Sequence, residues 1–88
     1  MEIEVTIQNK LGLHLRAAAT LIKLANTFKC EITIGKEGQQ ANGKSIMGIM
    51  ALAASPGTKL LVKCAGPDET QACEKIKKLV DDKFGEKE

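Results

Sequence analysis

Residues 2–28, EIEVTIQNKLGLHLRAAATLIKLANTF, change from one hydrophobic period to another within a short stretch. Apolar and polar side chains alternate over residues 2–8, which is typical of a strand with one face on a core. Apolar side chains then recur every three or four positions, which predicts an amphipathic helix over residues 15–27. The chain therefore begins with a strand and a helix, and the connection between them carries its only histidine, His14.

The middle of the chain predicts a β-hairpin followed by a short helix. Alternation around Ile32 and Ile34 precedes a glycine-containing turn at residues 35–38 and a short polar strand at residues 39–42. A hydroxyl side chain directly before an apolar stretch is typical of a helix N-cap, so Ser45 is expected to begin the second helix.

The remaining residues predict one more strand and one more helix. Residues 55–57, SPG, end the short helix, and alternation over residues 59–64 predicts a fourth strand. Asp68, followed three residues later by Gln71, resembles a capping box and predicts the start of a third helix. Residues 85–88 are expected to fray.

The resulting order, βαββαβα, predicts an α+β fold. The expected architecture is a two-layer open-faced β-sandwich, in which three helices cover one face of a four-stranded, mainly antiparallel sheet. A length of 88 residues favours a single domain over residues 1–88. The other face of the sheet should be wet, and its expected outward side chains are Glu2, Glu4, Thr6, Glu31 and Thr33.

The composition disfavours several classes of function. Two Phe with no Trp or Tyr leave no aromatic platform for nucleic-acid bases, and a net charge of +2 is small for binding a phosphate backbone. No apolar run approaches a membrane span and no secretory signal is visible, so we expect a cytoplasmic protein without direct nucleic-acid binding or membrane insertion. The cysteines are odd in number and lack C-x-x-C spacing, which predicts three reduced core residues: Cys30, Cys64 and Cys73.

His14 lies at the predicted start of the first helix, where several features favour an anion. The backbone N–H groups of Leu15, Arg16 and Ala17 point out of the first turn, and the helix dipole is positive there. The guanidinium of Arg16 adds a planar set of donors. Together these features predict a phosphate site, and a neutral imidazole beside it can attack a phosphoryl group and hold it covalently.

Other interpretations of His14 are open from the residues alone. It could be an exposed or cap-filling side chain without chemistry. A metal site, including that of a small metal chaperone, is disfavoured because one His and three scattered Cys form no recognisable ligand pair. A general-base enzyme is disfavoured because no paired carboxylate, second His or glycine-rich nucleotide loop accompanies His14.

Residues 12–18, GLHLRAA, followed by residues 44–50, KSIMGIM, resemble the two motifs of the HPr family. Members of this family are the histidine-containing phosphocarriers of the bacterial phosphoenolpyruvate-dependent sugar phosphotransferase system. The resemblance covers nearly the whole chain and implies one HPr-like phosphocarrier domain with no bound cofactor. It implies that His14 is phosphorylated on Nδ1 by phospho-enzyme I and discharged onto IIA domains of sugar permeases, while Arg16 steadies the phosphoryl group. Such a protein is a substrate of other enzymes and not itself an enzyme.

The second motif implies regulation and docking. Ser45 matches the serine that is phosphorylated by the ATP-dependent HPr kinase/phosphorylase, and a catabolite-control transcription factor is a further candidate partner. The alternative is a regulatory HPr paralogue that acts mainly through phosphorylated Ser45 and transcription-factor docking in carbon catabolite repression. Without the resemblance, Ser45 would be an ordinary N-cap and the methionines core residues. The expected docking residues are Leu15, Thr20, Lys23, Ile46, Met47 and Met50.

One residue departs from the family pattern. The family usually has Pro directly after the arginine, and this chain has Ala17. An alanine keeps the helix feasible while restoring one free N–H and some backbone freedom, so the phosphate site either gains a donor or loses rigidity. The departure bears on rate and partner preference, and not on the carrier role.

Overall fold

The alternating and helical patterns form four strands and three α-helices in the computed structural model, which describes residues 1–87. The order βαββαβα is confirmed. A single 3₁₀ turn at Lys83–Gly85 follows the last helix. The elements are β1 (Glu2–Thr6), α1 (Leu15–Ala25), β2 (Glu31–Lys36), β3 (Gln39–Asn42), α2 (Ile46–Ala51), β4 (Lys59–Ala65) and α3 (Glu69–Asp81).

The strands form one sheet in the order β1-β4-β2-β3, and all neighbouring pairs are antiparallel. Val5 of β1 lies opposite Leu60 of β4, and Ile34 of β2 lies opposite Val62 of β4, so the apolar positions share one face. These four side chains are buried against the helices, whereas the outward positions are exposed or half-buried. The expected α+β fold, with helices on one face of an antiparallel sheet, is confirmed.

Two elements end earlier than the sequence pattern predicts. β1 ends at Thr6, because Ile7 exchanges hydrogen bonds with the loop residues Gly57 and Thr58 and not with a strand. α1 ends at Ala25, because the side chains of Asn26 and Thr27 bond to backbone carbonyls of the last helical turn. Such local bonds compete with a regular backbone pattern.

Asp68 is the N-cap residue of α3, as predicted, but its side chain makes no capping hydrogen bond, so the capping box predicted with Gln71 is wrong. The Asp68 carboxylate instead accepts hydrogen bonds from the backbone N–H groups of Lys29, at 2.8 Å, and Cys30, at 2.9 Å. These bonds hold the pKa of Asp68 below its ordinary value, because they favour the charged form. The carboxylate therefore ties the start of α3 to the residues that lead into β2.

The prediction that the C-terminal residues fray is wrong for Gly85 and Glu86, whose backbone N–H groups donate to Asp82 and Lys83, and Glu88 lies outside the described residues. Lys83 and Phe84 both have a φ of 56°, which reverses the chain after α3. The Phe84 side chain is buried against the core and anchors this turn. The segment that follows is thereby directed toward the start of α1.

The cysteines are free and buried, as predicted. Burial raises the pKa of the Cys64 thiol to about 12, so this group is protonated and unreactive at neutral pH. Within residues 1–87, no group of three or more His, Cys, Asp or Glu side chains is arranged to hold a metal ion. None of the helices in this part of the chain is long and apolar enough to cross a bilayer.

The hydrogen bonds from Lys29 and Cys30 to Asp68 can be tested by amide hydrogen exchange. In Asp68→Ala, exchange at the Lys29 and Cys30 amides should accelerate, because both groups lose their acceptor. Gln71→Ala is the control and should leave these two amides unchanged, since no capping box is present. Equal exchange at the two amides in wild type and Asp68→Ala would contradict the bonding described above.

Candidate functional site

His14 is the N-cap of α1, as the sequence predicts. Its backbone is extended, with φ −80° and ψ 178°, and its carbonyl accepts the N–H of Ala18 at 2.8 Å. The imidazole makes no capping hydrogen bond to the helix. The side chain is therefore available for another partner, while the backbone N–H groups of the first turn have no acceptor within α1.

The connection from β1 to α1 is held by a buried carboxamide. Asn9 is fully buried, and its Nδ2 donates to the carbonyl of Gly12 at 2.7 Å. Gly12 has a φ of 69°, and a Cβ there would lie 2.7 Å from the carbonyl oxygen of Ala54. Leu13 donates its N–H to the same Ala54 oxygen at 2.8 Å. Glycine is thus required at this turn, which fixes the backbone immediately before His14.

The imidazole of His14 contacts the side chain of Glu86. Its Nε2 lies within hydrogen-bonding distance of Glu86 Oε2, and the other carboxylate oxygen accepts Asn9 Nδ2 at 2.8 Å. A carboxylate can only accept, so the proton of this contact lies on Nε2. Nδ1 makes no hydrogen bond within residues 1–87. In the neutral ring, a proton on Nε2 leaves the lone pair on Nδ1.

Glu86 is charged in this arrangement. Burial disfavours the charged carboxylate, but the hydrogen bonds from Asn9 and His14 outweigh it. The pKa of Glu86 therefore lies below its ordinary value. The sequence analysis did not identify Glu86 or Asn9 as site residues. The contacts of Glu86 join positions more than 70 residues apart, and no local motif predicts such contacts.

A cavity of about 550 Å³ adjoins this contact. Arg16 and Thr20 line it from α1, and Glu86 lines it from the C-terminal segment. Arg16 is exposed and follows directly after the first helical residue, so its guanidinium can reach an anion bound at the helix start. The structure therefore brings together His14, Arg16 and the first-turn backbone of α1, as the sequence predicts. The remaining lining residues are Lys10, Leu11, Phe84, Gly85 and Lys87.

Ser45 lies at a separate place, the start of α2. Its backbone is extended, with φ −115° and ψ 117°, and its Oγ accepts the N–H of Gly48 at 3.3 Å. The predicted N-cap is confirmed. Ser45 is half-buried, so its hydroxyl is partly open to solvent.

Apolar side chains near both helix starts are exposed. Leu15 on α1 is 63% exposed, Met47 on α2 is 78% exposed, and Met50 on α2 is 36% exposed. Ile46 is half-buried, and the short helix directs Ile49 into the core. Leu11 is also exposed, at 64%, and sequence reasoning missed it. We call Leu11, Leu15, Met47 and Met50 the apolar patch.

The two polar residues predicted for docking occupy different places on α1. Thr20 is half-buried, lines the cavity and donates its hydroxyl to the Arg16 carbonyl at 3.0 Å. Lys23 is exposed in the last turn of α1. With a rise of about 1.5 Å per residue, Lys23 stands roughly 13 Å along the helix axis from His14.

Comparisons with known proteins agree over the length of the chain. A family model described as "PTS HPr component phosphorylation site" matches residues 1–82. Phosphocarrier protein HPr of Xylella fastidiosa is 43% identical over 86 residues, which cover 98% of this chain and 97% of the relative. Phosphocarrier protein HPr of Cupriavidus necator is 42% identical over 88 residues, covering 100% and 99%. The crystal structure of HPr-C-His from Thermoanaerobacter tengcongensis has a TM-score of 0.96 at 39% identity, over 100% of this chain and 99% of that one.

The role of Ala17 can be tested by restoring proline. Ala17 lies in the first turn of α1, where its N–H has no acceptor within the helix, so Ala17→Pro should change the free energy of unfolding by less than about 1 kcal/mol. Ala19→Pro is the control, because it removes an internal bond and should cost about 3 kcal/mol. Urea denaturation measures both. A large loss in Ala17→Pro would show that the buried space around Ala17 does not admit the ring.

Proposed function

Because the chain belongs to the HPr family of phosphotransferase-system phosphocarriers, we propose that His14 is the residue that carries the phosphoryl group. The main support for the proposal is the hydrogen bonding of the two imidazole nitrogens. Its Nε2 is engaged by Glu86, whereas Nδ1 makes no hydrogen bond within residues 1–87. A neutral nitrogen with a free lone pair, at the start of a helix, suits attack on phosphorus.

The transfer is a displacement at phosphorus. His14 Nδ1 forms a bond to the phosphorus atom of phospho-enzyme I, and the bond between phosphorus and the donor breaks. Arg16 and the first-turn N–H groups of Leu15, Arg16 and Ala17 then receive the phosphoryl oxygens. A second displacement, by an acceptor group of a IIA domain, returns His14 to its starting state. The protein is thus a stoichiometric carrier and not a turnover catalyst.

The apolar patch is the surface through which we expect both donor and acceptors to dock. It presents Leu15 and Leu11 beside His14, and Met47 and Met50 on the neighbouring helix. Methionine adapts to differently shaped partners, which suits a carrier that meets several proteins in turn. Thr20 and Lys23 are proposed polar docking residues, and the half-buried Ile46 is a further apolar one.

Ser45 is the expected site of regulation by an HPr kinase/phosphorylase. Its Oγ already accepts a backbone N–H of α2, so a phosphoryl group there would meet the positive end of the helix. The fold should tolerate the modification. The added charge of about −1.5 to −2 would lie next to exposed Met47 and would disturb docking rather than folding. A catabolite-control transcription factor that reads this phosphoserine is a further proposed partner.

The carrier role predicts a covalent adduct. Incubation with phosphoenolpyruvate and enzyme I should add about 80 Da to the protein, in a form that is lost in acid, and His14→Ala should remain unmodified. Intact-mass spectrometry measures the adduct, and circular dichroism confirms that His14→Ala is folded. An unmodified wild-type protein would reject the carrier role for His14.

The regulatory role predicts that Ser45→Asp slows phosphorylation of His14 by enzyme I. We expect a decrease of roughly tenfold, because a negative charge beside the apolar patch opposes docking to an acidic partner surface. Ser55→Asp is a matched control, since Ser55 is an exposed serine outside the patch. Equal transfer rates in Ser45→Asp and wild type would contradict the proposal, provided that both have the same melting temperature.

A further inference from the structure

We propose that Glu86 is a positioning residue that keeps the His14 proton on Nε2 and thereby selects Nδ1 as the atom that accepts the phosphoryl group. The inference rests on the proposed function, in which His14 is phosphorylated. Glu86 lies beyond residues 1–82, the part of the chain that the family model matches. It acts through the imidazole it touches.

The C-terminal turn places Glu86 where it can act. Lys83 and Phe84 have positive φ angles, in the left-handed region that residues other than glycine rarely occupy, and Gly85 has a φ of 81°. The turn is closed by hydrogen bonds from Gly85 N–H to the Asp82 carbonyl, at 3.0 Å, and from Glu86 N–H to the Lys83 carbonyl, at 2.9 Å. With Phe84 buried as the anchor, the segment has a defined path back to the start of α1.

The two carboxylate oxygens of Glu86 have different partners. Oε1 accepts Nδ2 of Asn9 at 2.8 Å, and Oε2 contacts His14 Nε2. Asn9 is fully buried, and its Nδ2 also donates to the carbonyl of Gly12, which determines the orientation of the carboxamide. The Asn9 carboxamide, itself fixed by Gly12, therefore holds Oε1 of Glu86 and leaves Oε2 directed at the imidazole.

This arrangement controls where the imidazole proton resides. A carboxylate accepts from Nε2–H, and a proton on Nε2 leaves the Nδ1 lone pair free to attack phosphorus. As the Nδ1–phosphorus bond forms and the bond to the donor breaks, the ring becomes positively charged while its proton stays on Nε2. The adjacent carboxylate compensates this charge, as the buried carboxylate of a catalytic triad does.

Replacing Glu86 by glutamine should invert the tautomer. Asn9 Nδ2 would donate to the new amide oxygen, so the amide NH₂ would face His14 Nε2. An NH₂ group donates, so Nε2 would have to accept and the ring proton would move to Nδ1. Glu86→Ala removes both contacts and forces neither tautomer. The proposal therefore predicts that the glutamine variant is more impaired than the alanine variant, the reverse of what a merely structural role would give.

The tautomer is measured directly by ¹⁵N NMR of the His14 ring at neutral pH, without any partner protein. We expect an unprotonated Nδ1 in wild type and in Glu74→Gln, an exposed control on α3, and a protonated Nδ1 in Glu86→Gln. An unprotonated Nδ1 in Glu86→Gln would overturn the proposal. Since this readout needs no phosphoryl donor, it stands apart from the outcome of the enzyme I experiment.

The rate of phosphoryl transfer from phospho-enzyme I provides the second readout. At saturating donor, Glu86→Gln should be slower than wild type by roughly 10- to 100-fold, and Glu86→Ala should lie between the two. The donor concentration for half-maximal rate should change little, because the apolar patch is intact. A rate in Glu86→Ala below that of Glu86→Gln, or equal rates in all three proteins, would overturn the positioning role even where wild-type His14 is phosphorylated normally.

Discussion

The buried carboxamide of Asn9 is the interaction on which the geometry around His14 depends. Through one nitrogen it joins the turn at Gly12 to the carboxylate of Glu86, so that two segments from opposite ends of the sequence meet beside the imidazole. Its Oδ1 is buried and accepts no hydrogen bond from residues 1–87. The two bonds of its Nδ2 fix the backbone before α1 and hold the carboxylate that contacts His14 Nε2.

The strands and helices followed from the sequence because their signals are local. Alternation or a three-to-four-residue period reports which side chains face the core, and a single face of buried residues then specifies a two-layer fold. His14 and Ser45 at helix starts were predictable for the same reason. What could not be predicted depends on contacts between distant segments. Asp68 and the two backbone N–H groups that it accepts are nearly 40 residues apart in the sequence. An aspartate before a helix is also typical of an N-cap, so the sequence alone does not distinguish the two roles.

Glu86 shows the same limit more sharply. Gly85 and the charged residues around it are typical of a fraying end. Their sequence pattern does not predict a left-handed conformation at Lys83 and Phe84. That conformation is stabilised by the hydrogen bonds of the turn and by the burial of Phe84, and the burial depends on contacts with distant segments. The position of Glu86 is therefore a property of the tertiary fold. The motif around His14 predicts His14 and Arg16, but it does not predict the contact with Glu86.

The side chains at the three helix starts have three different partners, and the difference separates their functions. At α2 the Ser45 hydroxyl oxygen accepts the backbone N–H of Gly48 in its own helix. A phosphoryl group added there would lie beside the backbone N–H groups of the first turn and leave the fold intact. At α3 the Asp68 carboxylate is used for a connection to the residues before β2. At α1 the His14 side chain turns away to Glu86, so no side chain of its own occupies the first-turn donors. Only α1 thus combines a nucleophilic nitrogen with open N–H groups, which is what transient capture of a phosphoryl group requires.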